Sequence, residues 1–131
     1  MSDTPAKRPP KNFRKIRLEL AREPAHPAGS NAFGYLLVAP LDDKGHIDAE
    51  SWRANRASCR VIRFRPNDGE EIGHLVRTTN GQWKFHYDVE GEDEDESGFR
   101  LANEVFSSGE YVSIKSEDGM HTYRVISVEP V

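Results

Sequence analysis

Arginine and lysine carry most of the chemistry this chain can offer. Lys7, Arg8, Lys11, Arg14, Lys15 and Arg17 form a basic arm near the start, and Arg53, Arg56, Arg60, Arg63 and Arg65 form a second group. Guanidinium groups hydrogen-bond phosphate bidentately and stack on bases, so both groups are candidates for nucleic-acid contact. They share the first half of the chain. Residues 1–65 carry 13 Lys and Arg against 7 Asp and Glu, whereas residues 66–131 carry 5 against 15. Such asymmetry fits a charged partner, and equally fits pairing between the halves. The net charge of -4 and a pI near 5.7 stand against a domain built wholly for nucleic acid, which is usually strongly basic.

The remaining candidates are acids, histidines and one thiol. From Asp93 to Glu104 the spacing resembles an EF-hand calcium loop, with Asp93, Asp95, Ser97 and Glu104 at ligand positions and Gly98 at the tight turn. Arg100 stands where that loop is usually apolar, and the preceding segment reads as strand rather than helix. The five histidines show no metal-ligand spacing. Cys59 is the only cysteine. It excludes an internal disulfide, fits a reducing cytoplasm and is expected to be a small buried hydrophobe.

Gly109-Glu-Tyr-Val-Ser-Ile114 with Arg124-Val-Ile-Ser127 locally resembles the flavin-binding barrel of the ferredoxin reductase family. The resemblance implies Arg124 on a flavin phosphate. Ile126 stands where that family places the tyrosine that meets the flavin ring. From the residues themselves no cofactor is assigned. The reading is a non-catalytic binding or interaction module of the cytoplasm, monomeric or weakly dimeric, whose partner is another protein. Nucleic-acid binding through the basic arm and arginine group is the alternative, and a flavin-dependent or other small enzyme is a further one.

These residues must be positioned by strands. Residues 1–12 are polar, Pro-rich and basic, without the apolar core of a secretory signal, and read as a disordered tail. Residues 13–131 read as one β-rich domain. No apolar run approaches the ~18 residues of a membrane span. Strands are expected at Phe13–Leu20, Phe33–Ala39, Arg60–Arg65, Glu71–Thr79, Gln82–Val89 and on either side of Asp118-Gly119. Asp48 should cap a short helix that docks through Trp52. Asp88–Ser97 should be a solvated acidic loop, and Phe99–Phe106 a helical turn or irregular segment that brings Leu101, Val105 and Phe106 over one end. The architecture is a small antiparallel barrel or strongly curled meander of about six or seven strands with one or two short helices.

Turn chemistry sets the expected registers. A loop Asn67-Asp68-Gly69 pairs Phe64 with Ile72 and Ile62 with His74. A turn at Asn80-Gly81 pairs Val76 with Phe85 and His74 with Tyr87, and sets Arg77 opposite Lys84. Ile72, His74 and Val76 then face inward, His74 in the core beside Tyr87. A turn at Asp118-Gly119 pairs Ile114 with Tyr123 and Val112 with Val125. The like-charged pair Arg77/Lys84 calls for a counter-charge, which the acidic run Asp88–Glu96 could supply by folding back as a clasp.

Overall fold

The computed structural model describes residues 11–66, 69–87, 96–98, 104–116 and 119–131. Eight antiparallel strands follow one another around a closed barrel, and β8 returns to pair with β1. The strands are β1 (Phe13–Leu20), β2 (Ser30–Pro40), β3 (Arg60–Arg65), β4 (Gly69–Arg77), β5 (Trp83–Tyr87), β6 (Glu96–Gly98), β7 (Tyr111–Ser116) and β8 (Gly119–Pro130). Seven are long and form the curled sheet. The short β6 joins β5 to β7 and shares only the pair Ser97↔Lys115 with the latter. A meander of this kind hides its edges by closing. No described helix is long and apolar enough to cross a membrane.

Alternation builds the core. Ile16, Leu18 and Leu20 of β1 point inward with Tyr35, Leu37 and Ala39 of β2. Trp83, Phe85 and Tyr87 form the expected buried aromatic stripe on β5. Between β2 and β3 lies helix α1 (Ala49–Ala54), followed by a 3-10 turn at Arg56–Ser58. Asp48 caps α1, its carboxylate accepting from the Glu50 and Ser51 N–H groups. Asn12 belongs to this folded part rather than to a tail, since its amide donates to the Ser51 hydroxyl at 3.0 Å. The tail reading for residues 1–10 lies outside the described residues.

The hairpin registers correct the turn-based expectation. Between β4 and β5 the loop holds three residues, Thr79-Asn80-Gly81, not two. Thr78 N–H donates to the Gln82 carbonyl, Thr78 Oγ1 accepts from Gln82 N–H, and Gly81 alone takes the left-handed conformation at φ +78°. One extra loop residue slides the pairing by one and turns β4 over. Leu75 now faces Phe85 in the core, while Val76 lies opposite Lys84 and His74 opposite His86 on the outer wall. Ile72 is likewise outside, 48% exposed. Arg77 lies opposite Trp83, not Lys84, so the like-charged pair does not form. The proposed clasp loses its premise; residues 88–95 lie outside the described residues.

β3 turns over with β4. Arg65 pairs with Gly69 and Ile62 with Ile72, which places Val61 and Arg63 inside. In the last hairpin Ser116 pairs with Gly119, and Val112 lies opposite Tyr123 rather than Val125. This displacement is two residues and preserves parity. Val112, Ile114, Tyr123 and Val125 therefore remain buried as expected.

Two further expectations shift. Glu96 and Ser97, assigned to a solvated loop, belong to β6. Of the segment meant to cover one end, Leu101 is outside the described residues. Val105 is partly buried, and Phe106 is buried, its N–H donating to the Gly45 carbonyl.

Candidate nucleic-acid interface

Helix α1 sets the position of the arginine group. Its anchor is Trp52, buried, with indole N–H donating to the Leu75 carbonyl at 2.8 Å and its ring edge-on to Trp83 at 5.1 Å. Four residues on, Arg56 lies over the exposed side of the Trp52 ring at 4.8 Å. Arg53 is exposed on the same helix. Arg60 opens β3, exposed, opposite His74, which is itself opposite His86. Arg77 borders the group, its guanidinium over the Trp83 ring at 5.2 Å and Nε–H donating to the Gly81 carbonyl.

These residues enclose a cleft of about 350 Å³ between the helical segment and the outer wall of β4–β5. Trp52, Arg56, His74, Val76, Arg77 and His86 line it, and among the described residues no carboxylate does. The floor is apolar and the rim cationic, a combination suited to stacked bases with phosphates alongside. His74 is a correction to the sequence reading, which placed it in the core. His86 and Arg77 were not candidates at all. Their alternation on β4 and β5 was visible, but only the true loop length brings them together.

The other basic candidates divide. Arg63 leaves the set, because β3 alternation points it into the barrel. It is 6% exposed, paired with the Glu71 carboxylate and lying over the Tyr87 ring. Arg65 is half-buried beside Gly69 at the far end of β3. Arg14 turns back on its own chain, donating to the Lys11 and Phe13 carbonyls. Lys11 and Lys15 are exposed, Lys15 between Val38 and Glu129. Lys7 and Arg8 lie outside the described residues.

Of the four calcium candidates, Ser97 and Glu104 are among the described residues. Ser97 sits in β6, paired with Lys84 and Lys115, so the middle of the expected loop is strand. Glu104 is partly buried and accepts from Ser113 N–H. Asp93 and Asp95 are outside the described residues, among which no three His, Cys, Asp or Glu groups converge on a metal position. Of the flavin-like segments, Arg124 and Ile126 are on the outer wall of β8, and Tyr111 of β7 lies opposite Arg124.

Cys59 is fully buried as expected, and burial pushes its thiol up to about 12. The folded pKa lies above the unfolded value near 8.5. Its contribution to stability is therefore complete below about pH 8.5 and lost as pH rises toward 12. A disulfide exchange reagent should leave the native thiol unmodified at neutral pH and titrate one thiol after denaturation. Rapid modification of the native protein would contradict the burial of Cys59.

No protein-family model, curated protein or solved structure matches this chain. The class of protein is therefore defined by its own architecture, a small closed antiparallel barrel with a helix-flanked cationic cleft on its wall.

Proposed function

We propose that this protein is a non-catalytic cytoplasmic module that binds single-stranded nucleic acid at the α1–β4–β5 cleft. One observation supports the reading: Arg56, Arg77, His74 and His86 converge on an apolar cleft whose lining, among the described residues, holds no carboxylate. Arg60 extends this surface through its direct pairing with His74. The row Arg60–His74–His86 spans two inter-strand spacings, roughly 10 Å, about one Debye length at 0.1 M salt. Arg56, Arg60 and Arg77 place positive charge on this wall even though the chain's net charge is -4. Arg56 and Arg60 would neutralise phosphates, and the imidazoles of His74 and His86 would meet base faces.

The test is fluorescence anisotropy of a labelled single-stranded RNA over a salt series. Affinity should fall with salt, and Arg56→Ala and Arg60→Ala should each reduce the logarithmic slope by about 0.7, the loss of one phosphate contact. Arg65→Ala, at the far end of β3, should change it little. Absence of binding at low salt, or equal effects of all three variants, would overturn the assignment.

A further inference from the structure

A second site lies on the other side of the barrel, where β1 is flanked by two bulges. On the β8 side Arg17 pairs with Ser127 but Leu18 pairs with Val125, leaving Ile126 as the extra residue. On the β2 side Glu19 pairs with Gly34 but Leu20 pairs with Ser30, leaving residues 31–33 unpaired. Bulges re-aim side chains and bend the wall beside them. Both of these open onto one groove of about 840 Å³, within the range of small-molecule sites. The Ile126 carbonyl is satisfied by the Ser108 hydroxyl, so the bulge is held in place from behind.

The groove carries a specific set of groups. Tyr111 is 58% exposed. It is directly opposite Arg124 across β7–β8, and directly opposed Cβ atoms lie about 5 Å apart. Arg22 and Asn31 also line the groove. Glu19 is the carboxylate in the lining; it lies directly opposite Arg124 across β1–β8 but is ion-paired with Arg17 Nε at 2.7 Å. Among the described residues neither Arg22 nor Arg124 has a carboxylate partner. An exposed ring directly opposite one guanidinium, with a second guanidinium in the same groove, matches a ligand that joins a planar ring to an anionic group.

We infer that this groove is a mononucleotide site, with the base on Tyr111 and the phosphate on Arg124 and Arg22. It lies on β7, β8, β1 and the start of β2, whereas the nucleic-acid cleft lies on α1, β4 and β5. The two readings stand independently. Ring and anion are recognised by different residues, so neither part of the ligand alone should bind well.

Calorimetric titration with AMP, adenosine and inorganic phosphate tests this. AMP should bind saturably, with adenosine and phosphate each at least about tenfold weaker. Tyr111→Ala should weaken AMP about tenfold or more, the usual worth of one stacked base. Arg124→Ala should do the same. Both side chains are exposed, and circular dichroism should show the fold intact. Arg65→Ala, at the far end of β3 and outside both linings, should leave AMP binding unchanged. Absence of saturable AMP binding would overturn the site. So would AMP binding unaffected by Tyr111→Ala and Arg124→Ala, or phosphate binding as tightly as AMP.

Discussion

Gly34→Ala is expected to cost more stability than alanine at any other described glycine, on the order of 4 kcal/mol or more. A Cβ at Gly34 would sit 1.9 Å from the Leu18 carbonyl oxygen and 2.7 Å from the tip of the Phe64 ring. The ring could turn aside. The carbonyl cannot, because Leu18 lies inside β1 with pairs on both flanks, to Tyr35 and Val125. Relief would require β1 and β2 to separate beside the bulge at residues 31–33, which precedes Gly34. Ordinary overpacking costs about 1–3 kcal/mol because side chains shift; here the obstacle is backbone. Gly69→Ala is the control. Its position has open space but φ +68°, so the cost should stay near the 1–2 kcal/mol of a left-handed alanine. Urea denaturation of both variants decides. A Gly34→Ala protein as stable as Gly69→Ala would show that β1 and β2 do not approach so closely.

Trp52→Ala should cost about 3–5 kcal/mol, the range for removing a large buried aromatic. The ring joins three elements: α1, which carries it; β4, whose Leu75 carbonyl accepts its N–H; and β5, whose Trp83 it meets edge-on. Trp52→Phe keeps most of the apolar area but strands the Leu75 carbonyl, and should cost about 1–3 kcal/mol. Its loss should be visible in binding as well as in melting, since Arg56 is held over this ring. Trp52→Phe should retain more RNA affinity than Trp52→Ala when both are measured well below their melting temperatures. A Trp52→Ala protein with native stability would mean that α1 is not docked on the barrel. A double-mutant cycle with Trp83 should return a coupling of about 0.5–1.5 kcal/mol for the ring pair.

The local elements were legible in the amino acids. β1 and β3 begin and end where alternation and flanking residues place them. Asp48 caps α1, and Trp52 docks it. These features depend on interactions a few residues long: a capping carboxylate, a run of alternating side chains, a proline that ends a strand. The last hairpin kept its buried face despite a shifted register, because a displacement of two residues returns every side chain to the same side.

Tertiary structure alone decided how the strands meet, and with that the site. Gly81 marks a left-handed residue equally well as the end of a two-residue or a three-residue loop. The choice fell to what the barrel could bury: the three-residue loop puts Leu75 rather than His74 against the aromatic stripe. From that single residue of difference follow the pairing of His74 with His86 on the outer wall and the facing of Arg63 into the core. The bulges at Ile126 and at residues 31–33 have no turn signal to announce them. They lie on the two flanks of β1, the strand whose pairing with β8 closes the barrel. Closure is a condition on the whole sheet, since strand tilt, twist and register must agree around the ring, and no stretch of sequence shorter than the ring can express it.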